Sequence, residues 1–141
     1  MLTQIINGQI LTPQGWLKDG SVLISDGKIL EVTNSDLAVI GAKVVDAKGM
    51  YIIPGFVAMN VHGGHDFKEC TEEAFHSAIA AHMKHGATTI FPTLSSSPKE
   101  SICKAVSICE KLMAEKDGPV LGLHVEGPYL NAKMAGNLYD V

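Results

Sequence analysis

Two short segments of this sequence carry side chains that could bind a metal ion or a substrate. The segment "FVAMNVHGG" contains Ala58, Asn60 and His62, and the segment "HVEGPY" contains His124 and Glu126. Alternate residues of a β-strand point to the same face, so each set is predicted to share one face of its strand. Imidazole and carboxylate groups bind zinc-like ions well, whereas the amide oxygen of Asn60 is a weak ligand.

The same residues also fit a purely structural interpretation. A lone histidine at a strand end often makes only a hydrogen bond, and Glu126 could be a solvent-exposed loop residue. The other histidines, His65, His76, His82 and His85, do not form a set in the sequence. Glycine-rich phosphate loops and the G-x-S-x-G nucleophile motif are missing from it as well. From the residues alone, both interpretations of the two segments stay open.

The composition indicates a folded protein and excludes some classes of partner. Of the 141 residues, 46% are hydrophobic and 18% are charged, a balance typical of globular proteins. All 11 basic residues are lysines against 15 acids, and without arginine a nucleic-acid partner is disfavoured. Three cysteines without C-x-x-C spacing favour reduced thiols. No apolar run reaches the roughly 18 residues of a membrane span, so we expect no membrane partner and a cytoplasmic location.

Residues 1–53 are predicted to form a small antiparallel β unit. Turn dipeptides Asn7-Gly8, Asp19-Gly20 and Asp26-Gly27 lie beside short apolar segments. These dipeptides tolerate the positive φ angles of tight hairpins. The segment "AKVVDAKGMYIIP" predicts a further pair of strands.

Residues 54–141 alternate between strand and helix patterns. Thr71 is predicted to cap a first helix, and Ser97 is predicted to begin a capping box for a second. Strands repeating at roughly 30 residues are typical of right-handed βαβ units with parallel strands. Polar or glycine-rich segments follow each predicted strand, and active sites of α/β folds lie at that position.

Three segments together resemble a known enzyme family: "IIPGFVAMNVHGGHDF", "HGATTIFPTLSSS" and "VLGLHVEGPYLNAKMAG". The family is that of the N-acetylglucosamine-6-phosphate deacetylases, within the amidohydrolase superfamily. Similarity covers nearly all of the chain, yet it matches only the N-terminal portion of a family whose members are typically far longer. The resemblance implies an α/β fold with the first three strands of a (β/α) TIM-type barrel, preceded by the antiparallel unit. A whole barrel needs roughly 250 residues.

The resemblance also implies a reaction, a cofactor and site residues. Members of the family hydrolyse the acetamide of N-acetylglucosamine 6-phosphate to glucosamine 6-phosphate and acetate, using a divalent metal ion of the zinc or iron type. Glu126 matches the metal-binding glutamate, with His62 as a secondary ligand and Asn60 as a weak one, which implies one ion per chain. Gly136 and Asn137 are candidate substrate-binding residues. The proton-transferring aspartate and further histidine ligands are expected in the rest of a full-length protein, for which the resemblance is compatible with a homodimer.

Three positions depart from the family pattern. Ala58 stands where many superfamily members have aspartate, Asn60 replaces a histidine, and Leu138 stands where a polar, substrate-facing residue is expected. They motivate one alternative, a non-catalytic truncated or degenerate copy. A separate alternative is another amidohydrolase such as a cyclic amidase, against which the segment "HVEGPYLN" argues. The 141-residue chain alone is expected to be inactive and to depend on further chain, because three parallel strands under two helices leave the sheet exposed.

Overall fold

The computed structural model describes residues 1–35, 38–62, 67–131, 133 and 136. The chain divides into two compact units, Met1–Pro54 and Gly55–Val141. Each unit has its own sheet, and both of the described α-helices belong to the second. The predicted α/β class is confirmed as a mixture of helices and sheets, while the partial barrel stays a prediction.

The first unit begins with an antiparallel meander. Its strands are β1 (Leu2–Thr12), β2 (Gly15–Ser25) and β3 (Lys28–Thr33). Pro13 and Gln14 form the turn between β1 and β2, where the fixed φ of proline suits a tight connection. Ile10 and Val22 are buried within this unit.

Two of the three predicted turn dipeptides lie inside strands rather than at hairpin turns. Asn7 in β1 and Asp19 in β2 both have a φ of 57°, and Gly8 pairs with Gly20 between two shifts of register. Such shifts mark β-bulges, which use the same positive φ angles as turns and bend a long hairpin. Asp26-Gly27 does connect β2 to β3, so that turn prediction is confirmed.

The next two predicted strands are present, but the antiparallel arrangement predicted for this unit is wrong for them. Strands β4 (Lys43–Asp46) and β5 (Tyr51–Ile52) both pair in parallel with β1. The segment between β4 and β5 lies beside the bulge of β1. There the backbone N–H of Gly49 donates to the carbonyl of Asn7 at 2.6 Å. The sheet is therefore mixed rather than antiparallel, because one edge of β1 offers hydrogen-bonding groups on both sides of its bulge.

The second unit contains parallel strands joined through helices, and this part of the prediction is confirmed. Strands β6 (Phe56–Val61), β7 (Ala87–Ser95) and β8 (His124–Glu126) pair in that order, all parallel. Helix α1 (Glu72–Lys84) connects the first two strands and helix α2 (Lys99–Met113) connects the last two. A 3₁₀ turn at Phe67–Glu69 precedes α1.

The two helices begin differently. The hydroxyl of Thr71 accepts from the backbone N–H of Ala74 at 3.2 Å, so the predicted cap of α1 is confirmed. The capping box predicted for α2 is wrong: the helix follows Pro98, and no side chain caps it. Ser97 instead donates its hydroxyl to the carbonyl of Ser95 at 2.7 Å, which removes it from the helix end.

The core of the second unit lies between the sheet and the helices. Buried side chains come from α1 (Phe75, Ala78, Ile79), α2 (Ala105, Cys109, Leu112) and β7 (Ile90, Leu94). On β6, by contrast, Phe56, Val57 and Met59 are all more than half exposed. Within the described ranges, no helix has the length and apolar character to span a membrane.

Replacing Thr71 with alanine tests the α1 cap. The variant should lose about 1 kcal/mol of unfolding free energy, because the N–H of Ala74 then has no side-chain acceptor. Thr71→Ser keeps the oxygen and should stay close to the parent protein in urea denaturation followed by circular dichroism. Equal stability of the alanine variant and the parent would show that this cap contributes nothing.

Candidate metal-binding site

The C-terminal ends of the three parallel strands meet at one edge of the sheet. Register places Val61 opposite Pro92 and Thr93 opposite His124, and Ser95 lies opposite Glu126. Ligands of α/β proteins bind outside this edge, because polar residues that follow each strand converge there. We call His62, Thr93, His124 and Glu126 the strand-end site.

Two of the predicted site residues, His62 and Glu126, lie side by side. Nε2 of His62 is 3.3 Å from Oε2 of Glu126, although the residues belong to the two outer strand ends of the sheet. Their side chains are 49% and 27% exposed, respectively. Both atoms are thus close to each other and still open to a ligand from solvent.

Strand β6 does not keep the strict alternation that the sequence predicts. Its pairing with β7 shifts register between Ala58 and Val61, and the extra residue forms a bulge. Ala58 consequently packs against the same apolar core as Val61, whereas Asn60 and His62 are exposed. The prediction that Ala58 shares a face with His62 is therefore wrong.

Thr93 links the strands behind the site. It is 3% exposed, and its Oγ1 accepts from the backbone N–H of Val61 at 2.7 Å. The same oxygen lies 3.2 Å from Nδ1 of His124. Thr93 carries no functional signal in the sequence, because threonine in an apolar strand is an ordinary β-former and its partners lie on other strands.

The backbone around Glu126 is held by a second hydroxyl group. Ser96 donates to the carbonyl of Glu126 at 3.4 Å. The next residue, Gly127, has a φ of 91°, and a Cβ there would overlap Oγ of Ser96. Glycine is therefore required after Glu126 for two reasons: its left-handed backbone and the close approach of Ser96.

The spacing of His62 and Glu126 fits two positions of a metal shell. Zinc takes imidazole nitrogen and carboxylate oxygen at about 2.0–2.2 Å, so two tetrahedral ligands lie about 3.4 Å apart. The observed separation is 3.3 Å. Among the residues whose placement is described, no group of three His, Cys, Asp or Glu side chains could hold a metal ion. A catalytic site with three protein ligands therefore needs at least one ligand beyond this pair.

Comparisons with known proteins find relatives along nearly the whole chain. The N-acetylglucosamine-6-phosphate deacetylase of Haemophilus influenzae is 32% identical over 137 residues, which are 94% of this chain and 35% of that protein. The crystal structure of the Pasteurella multocida deacetylase superimposes with a TM-score of 0.83 at 25% identity, covering 94% of this chain and 36% of that one. A Mycobacterium smegmatis deacetylase variant in complex with N-acetyl-D-glucosamine-6-phosphate gives 0.78 at 26% identity, with coverages of 92% and 34%.

The chain is a relative of the N-terminal portion of N-acetylglucosamine-6-phosphate deacetylases. The resemblance predicted from the sequence is thus confirmed, and the relatives are enzymes. The chain spans about a third of the length of the curated deacetylases that it matches. No family model matches it.

Of the remaining residues that were singled out in the sequence, the structure describes only some. Gly136 is exposed and has a φ of 54°. Asn137 and Leu138 lie outside the described residues, as does His65. A role of Gly136 and Asn137 in substrate binding stays a prediction.

Two further reactive side chains of the second unit, His76 and Cys109, lie on its helices. His76 on α1 has its Nε2 3.9 Å from a carboxylate oxygen of Glu115, just beyond the end of α2. Burial raises the pKa of the Cys109 thiol to about 11, so this thiol stays protonated at neutral pH and is a poor nucleophile. Cys109 is thus a core residue, which argues against thiol catalysis at this position.

Replacing Glu126 with glutamine tests the metal pair. Zn²⁺ affinity should fall by more than roughly tenfold, because a neutral amide replaces the carboxylate charge. A loss of about tenfold is already typical when a residue that only hydrogen-bonds to a metal ligand is replaced, so the loss of a ligand itself should be larger. Isothermal titration of the metal-free protein measures the change. Glu115→Gln is the matched control, since it removes a carboxylate that faces the helix residue His76 at 3.9 Å. Equal affinities of Glu126→Gln and the parent would contradict the assignment.

Proposed function

We propose that this chain forms the first part of a metal-dependent N-acetylglucosamine-6-phosphate deacetylase. The whole enzyme would hydrolyse the acetamide of N-acetylglucosamine 6-phosphate to glucosamine 6-phosphate and acetate. The observation that carries this proposal is the 3.3 Å approach of His62 and Glu126 at the strand ends. Support for the substrate comes from relatives that bear the name of this activity.

The chemistry divides between this chain and further residues. A bound divalent ion would polarise the acetamide carbonyl and make a water molecule more acidic. Glu126 and His62 would hold that ion, and their partial exposure leaves room for the sugar to approach. Proton transfer to the departing amine requires a positioned acid–base group. We expect an aspartate from a longer chain in this role.

The proposal includes a longer chain for three reasons. The relatives are about three times the length of the matched region, and the His62–Glu126 pair is two ligands where three are needed. In addition, Phe56, Val57 and Met59 are exposed on β6, although parallel sheets are normally covered on both faces. We infer that residues 54–141 form the first three strands of a (β/α) TIM-type barrel and that residues 1–53 form a sandwich-like unit.

The proposed ligand is a small amino-sugar phosphate. The Mycobacterium smegmatis relative was crystallised with N-acetyl-D-glucosamine-6-phosphate. The same compound class is proposed here, with Gly136 and Asn137 as candidate contacts. A homodimer of the full-length form and a cytoplasmic location remain predictions from the sequence.

A fusion protein tests the activity directly. Residues 1–141 of this chain would replace the matched region of the Haemophilus influenzae relative. The metal-loaded fusion should release acetate from N-acetylglucosamine 6-phosphate, whereas the 141-residue chain alone should release none. The isolated chain lacks the acid–base group, which contributes roughly 10²–10⁴-fold by itself.

The controls of that experiment separate the alternatives. Glu126→Gln in the fusion should abolish acetate release and Glu115→Gln should not, with folding checked by circular dichroism. A folded, metal-loaded fusion that opens cyclic amides but leaves the sugar intact would favour the cyclic amidase alternative. If it acted on neither substrate, the non-catalytic alternative would be favoured. Acetate release by the isolated chain would contradict the need for further residues.

Asn60 sets the expected number of metal ions. One imidazole and a weak amide do not complete a second site, so the fusion should bind about one divalent ion per chain. Asn60→His supplies an imidazole near His62 and should raise this number, whereas Asn60→Gln should leave it unchanged. Elemental analysis of the purified proteins measures the ratio. Two tightly bound ions in the unmodified fusion would defeat this argument.

A further inference from the structure

One face of the central strand β7 points away from the helices and towards the strand-end site. Ile90 and Leu94 on β7 pack in the apolar core against the helices. Since alternate residues of a strand point to opposite faces, Thr93 and Ser95 lie on the other face. Oγ1 of Thr93 lies 3.2 Å from Nδ1 of His124. This face of β7 therefore adjoins the face of β8 that carries His124.

The register of β7 with β8 places Ser95 next to Glu126. The two residues are direct partners in the parallel pairing, one step of the alternation beyond Thr93 and His124. Neighbouring strands lie about 4.8 Å apart, so side chains of such partners on one face can contact the same ligand. The Ser95 side chain therefore lies beside that of Glu126.

The His62–Glu126 pair spans the end of β7. His62 follows β6 and Glu126 ends β8, and β7 lies between these two strands in the sheet. Strands on either side of a central strand are about 9.5 Å apart, yet the side-chain atoms of the pair approach to 3.3 Å. The two side chains thus converge over the central strand, whose last residue is Ser95.

The hydroxyl group of Ser95 makes no hydrogen bond within the described part of the chain. Ser95 is partly buried, and only its backbone carbonyl is engaged, accepting from the hydroxyl of Ser97 at 2.7 Å. The hydroxyl groups of Thr93 and Ser96, by contrast, are bonded to backbone groups of the outer strands. A hydroxyl group can donate one hydrogen bond and accept two, so Ser95 keeps this capacity for a ligand.

We propose that Ser95 is a further ligand-contact residue of the strand-end site. Its hydroxyl group donates a hydrogen bond to an oxygen atom of the ligand that binds at His62 and Glu126. Oxygen atoms are abundant on a sugar and its acetamide, and in naming this ligand the inference rests on the proposed deacetylase function. The position of the hydroxyl group beside the pair follows from strand register and does not depend on that function.

Ser95→Cys tests this position without substrate or activity. Thiolate is a strong ligand of zinc-like ions, and with His62 and Glu126 it supplies the three protein ligands that a metal centre needs. Co²⁺ added to this variant of the 141-residue chain should give the near-ultraviolet charge-transfer absorption of a cobalt–thiolate bond. Ser97→Cys is the matched control, because the Ser97 hydroxyl is directed to the carbonyl of Ser95. It should not exceed the parent chain, whose three cysteines set the background.

Two further variants connect the result to the pair. Adding Glu126→Gln to Ser95→Cys should weaken the absorption, because a ligand of the same ion is lost. Ser95→His supplies an imidazole instead and should raise Zn²⁺ affinity by more than roughly tenfold in isothermal titration. A folded Ser95→Cys variant without the absorption, or with an absorption that Glu126→Gln leaves unchanged, would overturn the inference. If Ser95→Cys does not fold, Ser95→His decides, and an unchanged Zn²⁺ affinity would overturn it.

The fusion protein tests the ligand contact itself. Ser95→Ala should raise KM for the sugar by about 3- to 10-fold, the effect of one lost hydrogen bond, with a smaller change in kcat. Ser95→Thr keeps a hydroxyl group and should stay close to the parent value. An unchanged KM in Ser95→Ala would overturn the ligand contact. An inactive fusion would count against the proposed function, whereas the metal measurements on the 141-residue chain would still decide the position of Ser95.

Discussion

Parallel pairing of β6, β7 and β8 is the constraint on which the candidate site depends. Parallel strands need a crossover between them, and here α1 and α2 provide it. The crossovers return the chain to the same end of the sheet, so residues that follow each strand collect at one edge. For this reason His62, just after β6, and Glu126, at the end of β8, come within 3.3 Å of each other.

Hydroxyl side chains on and just after the central strand hold the ends of the outer strands. Thr93 accepts a backbone hydrogen bond from Val61 of β6, and Ser96 donates one to the carbonyl of Glu126 in β8. Both residues are buried, where a lost hydrogen bond costs more than at the surface. These contacts fix the backbone next to each member of the His62–Glu126 pair, which a metal site requires if its ligands are to keep their spacing.

The second unit leaves part of its apolar surface uncovered. In the second unit the helices cover one face of the sheet with a continuous apolar core, yet β6 leaves three large apolar side chains exposed. The proposed metal site is incomplete in the same sense, because among the described residues it offers two of the three protein ligands that a catalytic site needs. Both observations agree with a match to about a third of the deacetylases. The apolar surface and the metal shell would then be completed by the same further chain.

The sequence by itself determined the features that depend on neighbouring residues. Thr71 begins α1 as predicted because a cap bond spans only three residues. The βαβ pattern was also predictable, since it follows from the spacing of apolar segments and the preference for right-handed crossovers. The segment "HVEGPY", which contains Glu126, was recognisable because its residue types carry the family resemblance.

Only the tertiary structure decided the features that depend on pairing between distant segments. Asn7 and Asp19 have the positive φ predicted from their residue types, but the register of β1 with β2 makes them bulges rather than turns. The bulge in β6 lets Ala58 pack against the core, contrary to the alternation that local sequence implies. The partners of Thr93 lie on strands that the chain reaches through separate helices. Local sequence carries no information about register across such connections, because hydrogen bonds between strands are fixed only when the whole sheet forms.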